Sequence, residues 1–222
     1  MTFFLKNFLT LISILLLLSC ARSKKQSSEV DDKSYITDFE LIQRNIRNNT
    51  TIKINSPKAI IDQSNNDFEI FNSSIELSNK AGINLQIESG RSTLNNSDNI
   101  ISVFENVNIF QKNNLNSFIK TDSFEWDLNR STMNLNSPLE VNFKNTRILS
   151  ESGIYNIDGN QLKLNNNTFK RNVFNLNGNK KYKIEIVSDI AMWSKQDNSF
   201  EFKSIDKQVV SKFDLLRTEN IK

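Results

Sequence analysis

The bulky apolar residues of this chain recur at one fixed spacing. Trp126 is followed seven positions later by Met133 and nine positions later by Leu135. The same intervals link Ile61 to Phe68 and Ile70, Leu94 to Ile101 and Val103, Tyr155 to Leu162 and Leu164, and Trp193 to Phe200 and Phe202. A strand has a side-chain period of two, so a gap of seven cannot keep two residues on one face of one strand. Across a hairpin it can. Trp126 opposite Met133 brings Asp127 to face Thr132 and Leu128 to face Ser131, with Asn129-Arg130 as the turn. Phe124 then meets Leu135 on the same face, and such cross-strand pairs contribute roughly 0.2–1 kcal/mol each. The same rule predicts turns at Ser64-Asn65, Ser97-Asp98, Asp158-Gly159 and Gln196-Asp197. Asp-Gly is a strong type I′ signal, because both turn residues need positive φ.

The segments between these copies alternate apolar and polar residues. "INLQIES" presents Ile83, Leu85 and Ile87, and "ISVFENVNI" presents Ile101, Val103, Val107 and Ile109 around Glu105. "LEVNF" presents Leu139, Val141 and Phe143, and "YKIEI" presents Tyr182, Ile184 and Ile186. Such alternation predicts strands with one apolar face. "TDFELIQRNIRN" reads as a short helical turn or a first strand. The expected fold is therefore all-β: an antiparallel meander of about 12 to 15 strands built from hairpin units of about 30 residues. Its apolar faces either close over a dry core or gape to hold an apolar guest.

Composition narrows the function. The 222 residues include no His, which removes the commonest general base and metal ligand. The single Cys precludes an internal disulfide or a thiolate cluster, and no stretch groups the carboxylates as a site. Neither an enzyme nor a cofactor is expected. With 28 Lys and Arg against 25 Asp and Glu, the charge is too even for a nucleic-acid binder.

The chain begins "MTFFLKNFLTLISILLLLSC", a Lys followed by a short apolar run and then Cys20. The run is too short to span a bilayer, which takes about 20 residues, and fits a secretory leader. Leu17-Leu18-Ser19-Cys20 resembles the bacterial lipobox, which predicts a lipoprotein signal peptide over 1–19 and a lipidated Cys20 as the mature N-terminus. Residues 20–37, polar and without periodicity, read as a tether from the membrane.

The units "INSPKAIIDQSNNDFEIFNSSIEL", "ESGRSTLNNSDNIISVFENVNIF", "IKTDSFEWDLNRSTMNLNSPLEV" and "RILSESGIYNIDGNQLKLNN" resemble the LptC family and its relative LptA, over about Thr37 to Phe174. The resemblance implies an open antiparallel β-jellyroll, or β-taco, here over 38–213 with an extension from about 180 and a tail at 214–222. It implies a periplasmic, membrane-attached component of lipopolysaccharide export, held at the outer leaflet of the inner membrane. The partners it implies are lipopolysaccharide, the LptB–LptF–LptG transporter and an LptA-like jellyroll protein. The implied lipid groove draws on Ile83, Leu85, Ile101, Val103, Phe104, Val107, Ile109, Phe124, Trp126, Met133, Leu135, Leu139, Val141, Phe143, Tyr155 and Leu162. Lys144, Arg147 and Lys163 are candidates to meet sugar phosphates at its rim. An LptA-like bridge and a structural repeat lipoprotein with a closed core are the alternatives. The lipobox departs from the family, whose members usually carry a transmembrane helix.

Overall fold

The computed structural model describes residues 33–45, 50–80, 82–112, 114–174, 181–194, 199–205 and 208–216. The leader, Cys20, most of the tether and the turn expected at Gln196-Asp197 lie outside them. The described residues form thirteen strands in one antiparallel sheet. They are β1 (Lys33–Asn45), β2 (Thr50–Asp62), β3 (Asp67–Asn79), β4 (Asn84–Asn95), β5 (Ile100–Gln111), β6 (Asn114–Asp127) and β7 (Thr132–Leu135). There follow β8 (Leu139–Phe143), β9 (Thr146–Asn156), β10 (Gln161–Phe174), β11 (Lys181–Ser194), β12 (Ser199–Lys203) and β13 (Val210–Leu216). β7 and β8 lie end to end between β6 and β9, and β12 and β13 lie end to end along β11. The meander thus makes eleven passes, each beside the last. Of the ambiguous "TDFELIQRNIRN", residues 37–45 belong to β1. That strand starts at Lys33 and takes up the end of the segment read as a tether, because Ile36 packs against the core. β13 likewise extends into the expected tail.

The five predicted hairpin registers all occur: Ile61 opposite Phe68, Leu94 opposite Ile101, Trp126 opposite Met133, Tyr155 opposite Leu162 and Trp193 opposite Phe200. The described turns differ from the expected ones. Each spans four residues, at 63–66, 96–99, 128–131 and 157–160. Leu128 and Ser131 are therefore turn residues rather than a cross-strand pair. Asp158-Gly159 is not a type I′ turn, since the positive φ falls on Asn160. The left-handed residue is the fourth in every case: Asn66 (φ 57), Asn99 (φ 56), Ser131 (φ 53) and Asn160 (φ 48). An Asx side chain at the end of the incoming strand ties down each turn. Asp62 accepts from the Ser64 amide, Asn95 from Asp98, Asp127 from Asn129 and Arg130, and Asn156 from Gly159. Successive turns are stitched together, Leu128 N–H donating to Asn99 and Ile157 N–H to the Ser131 carbonyl.

Midway along, the strands bend. Register breaks fall at Asp38, at Ser56-Pro57 against Asn72-Ser73, between Glu88 and Arg91, at Glu105-Asn106, between β7 and β8, and at Asn166 against Glu151 and Asp189. Asp38, Asn72, Glu105, Asn106 and Asn166 have positive φ. Both prolines of the chain sit on this line, each in an Asn-Ser-Pro triplet at 55–57 and 136–138. A proline cannot donate to the ladder, so the ladder stops there. Small hydroxyls serve the backbone groups left over: Ser56 donates to the Phe71 carbonyl, Ser150 to Asn165, and Ser137 to Ser123. Ser73, Ser89 and Ser92 bond one another at 2.6–3.0 Å. Gly90 is required here, since a Cβ on it would lie 2.9 Å from Glu105 Cβ.

The crease divides the sheet into two arms that close on a single core. Arm 1 ends in the four-residue turns. Arm 2 ends in the other hairpins, such as those between β3 and β4 and at Lys144-Asn145. Phe39 of arm 2 meets Phe68 of arm 1 with centroids 5.3 Å apart, and Phe169 of arm 2 meets Phe200 and Phe202 of arm 1 at 5.5 and 5.1 Å.

Candidate functional site

Packing between the arms is uneven. Part of the core is nearly waterless, with Ile101 and Val103 at 0 % exposure and Phe124 and Trp126 at 1 %. Leu128 and Ile157 drop from their turns to plug the tip of this core beside Ile52 and Trp126. Where the arm 2 halves of β4, β5, β6 and β8 face the arm 1 halves of β7 and β9 to β12, the arms separate. A cavity of about 120 Å³ opens between Leu85, Ile109, Ile119, Val141 and Phe143 of arm 2 and Met133, Leu135, Tyr155, Leu162, Trp193 and Phe200 of arm 1. Asn84, Gln111, Asn142 and Asn160 are the polar residues around it. Phe143 and Trp193 approach across the gap, their ring centroids 6.5 Å apart.

Alternation along the strands aims these walls inward, and the crease turns the two halves of each pass to face each other. Tyr155 is held by its hydroxyl, which donates to Asn160 Oδ1 at 2.8 Å. Burial pushes its phenol well above the ordinary value of 10.0, so it stays a neutral donor. No cluster of His, Cys, Asp or Glu able to hold a metal occurs among the described residues.

Ile83, Leu85, Ile109, Met133, Leu135, Val141, Phe143, Tyr155 and Leu162, all expected to line a groove, are brought together at the cavity. Ile101, Val103, Val107, Phe124, Trp126 and Leu139 are not; they belong to the sealed core. Phe104 points the other way. Ile101 and Val103 face inward, so Phe104 lies on the outer face, under the Arg91 guanidinium at 5.4 Å. Of the rim candidates, only Lys144 stands at the cavity's edge. Arg147 is bonded to Glu140 at 2.8 Å on the outside, and Lys163 projects outward between the buried Leu162 and Leu164. Sequence reasoning missed Phe110, Phe118, Ile119, Trp193 and Phe200 as lining residues. The repeat spacing held the signal for Trp193 and Phe200, since theirs is its last copy.

Toward the β12 and β13 edge the inward face loses its cover. Ile184, Ile186, Trp193, Phe200 and Phe202 are half-buried, and Phe213, opposite Ile184, is 68 % exposed. The apolar lining thus runs from the cavity to β12 and β13, which pair only with β11 among the described residues.

A family model described as lipopolysaccharide-assembly, LptC-related, matches residues 8–168. No curated protein matches the sequence.

Proposed function

Because the chain belongs to the LptC-related lipopolysaccharide-assembly family, we propose that it holds the acyl chains of lipopolysaccharide between its arms and passes them along its open edge. The family works in lipopolysaccharide transport in the periplasmic envelope, and that much carries over to this chain. In the finer reading, Cys20 is lipidated and tethers the jellyroll to the inner membrane. Lipid arrives from the LptB–LptF–LptG transporter and leaves to an LptA-like jellyroll protein.

The observation that carries this reading is the cavity at Phe143, Tyr155, Trp193 and Phe200, continued by the uncovered Phe213. Moving a fourteen-carbon chain out of water gains on the order of 10 kcal/mol by methylene counting. A cavity of about 120 Å³ is close to the size of one that takes up benzene. It seats a short stretch of hydrocarbon, so a full lipid requires the arms to part. The crease suits that motion, because its backbone groups bond to serine hydroxyls rather than to a continuous ladder. Partial seating also limits affinity, which hand-off demands. The driving energy comes from partners, since the chain has no phosphate-cradling Gly loop.

The test is photo-crosslinking in cells with a photoreactive phenylalanine analogue at Phe143, Phe200 or Phe124. Adducts with lipopolysaccharide are expected at Phe143 and Phe200 and not at Phe124. Absence of adducts at both cavity positions defeats the proposal. Palmitate labelling that is lost in Cys20→Ser tests the anchor separately.

A further inference from the structure

One wall of the cavity is far less secured than the others. β12 is five residues long, pairs only with β11 among the described residues, and has no buried residue. Its inward side chains are Phe200, opposite Trp193, and Phe202, opposite Ala191. The two rings stack on each other at 6.2 Å and 15°, and both stand edge-on to Phe169 of arm 2. This three-ring cluster is what holds β12 to the other arm. Phe200 also lines the cavity, whereas Phe169 and Phe202 do not. Phe169 lies opposite Ile186, on the half-buried lining of the last edge. The Phe200 ring therefore stands between the enclosed space and that lining.

A second contact holds the strand at the crease. Asp189, at the register break of β11, accepts hydrogen bonds from Ser204 Oγ at 2.6 Å and from the Ile205 N–H at 2.8 Å, immediately past β12. Hydrogen bonds to a carboxylate are stronger than those between neutral groups, so this one side chain fixes the end of the strand firmly. Along its length β12 has one ladder. A strand such as β5, flanked on both sides, must break two ladders to leave the sheet, and β12 breaks only one.

We infer that β12 is a lid on the cavity, latched at the crease by Asp189: it detaches from β11, withdraws Phe200 and joins the cavity to the apolar lining of the last edge. The inference rests on the acyl-binding reading above and adds the element whose movement admits the chain. The closed cavity of about 120 Å³ seats only a short stretch of hydrocarbon, so a longer chain needs one wall to move. β12 is the wall bound to a single neighbour, and the arms part there first. Trp193 stays behind on β11 with its ring 6.5 Å from Phe143, so the rest of the site survives the opening. The open lid exposes two Phe rings to water, and their burial draws it shut when the cavity is empty.

A reversible staple tests the lid. Met192 lies between the inward Ala191 and Trp193, so it and its partner Glu201 face each other on the outer side, away from the cavity. Directly opposed Cα atoms of antiparallel strands are about 4.5–5.5 Å apart, within disulfide range. The purified full chain carries Cys20→Ser, Met192→Cys and Glu201→Cys, with a photoreactive phenylalanine analogue at Phe143. The probe is lipopolysaccharide in neutral detergent micelles. The reduced protein is expected to give the adduct, and the oxidised protein at least about 5-fold less, with recovery on reduction. Equal capture in the two states overturns the lid and leaves the acyl reading standing. No capture by the chain that carries the analogue without the cysteine pair defeats the acyl reading, and the lid with it. Asp189→Asn keeps the test independent of the cysteine pair. Its weaker latch is expected to raise the initial rate of capture about 2- to 10-fold, and an unchanged or lower rate counts against the lid.

Discussion

Asn160 does two things at once: it takes the left-handed backbone that closes its turn, and its side chain receives the Tyr155 hydroxyl at the cavity wall. Asn160→Ala removes both and is expected to cost about 1–3 kcal/mol in urea unfolding. Asn160→Gly restores the backbone freedom and should recover part of that loss. Tyr155→Phe should cost about 1 kcal/mol at neutral pH. It should also remove a contribution that, in the native chain, is fully present below pH 10.0 and lost as pH rises toward the elevated folded value. At the acid end, Glu140 is held below its ordinary 4.5 by hydrogen bonds from Arg147 and Asn142, and Asp62 below 3.8 by Ser64. Their contributions are present above those ordinary values and disappear as pH falls through the lowered ones. With no His in the chain, thermal melting is expected to give a flat profile from about pH 5 to 8. A step inside that window would contradict it.

At the scale of elements, the crease decides more than any strand does. Gly90→Ala places a methyl against Glu105 and is expected to destabilise by about 1–3 kcal/mol, read as a lower urea midpoint with an unchanged slope. The seven-residue spacing made the five arm 1 hairpin registers legible, because pairing opposite faces allows only one alignment. It could not distinguish a two-residue turn from a four-residue one, as both leave Trp126 opposite Met133. The discriminating signal was an Asx followed four residues later by Asn or Ser, as in Asp62 to Asn66 and Asn156 to Asn160. The crease was written in two Asn-Ser-Pro triplets and a row of serines, whose meaning is clear only when the strands lie side by side. Much of the candidate site was visible as an inward face. Which part of that face is sealed depends on how closely the two arms approach, a tertiary distance that alternation does not encode.

For the whole molecule, the match to the LptC-related family ends at residue 168, whereas Trp193 and Phe200 complete the cavity from β11 and β12. A chain ended at Phe174 loses that wall together with the cover over Leu162, Leu164 and Phe169. It is expected to bind a fluorescent apolar dye strongly and to give no lipid adduct from Phe143. A truncated chain with native dye binding and full adduct yield would assign the last strands no part in the site.

Eleven is an odd number of passes, and so β1 and the β12–β13 pair run in the same direction, from arm 1 to arm 2. Any row of such molecules joined first edge to last edge is a parallel-strand joint and has a beginning and an end. In that row the two arms keep one order, and cargo meets an unchanged surface as it crosses from one molecule to the next. Two copies joined last edge to last edge would run antiparallel and set arm 1 of one against arm 2 of the other at the seam. The topology therefore gives the molecule a heading, which a carrier moving material one way across a compartment can use.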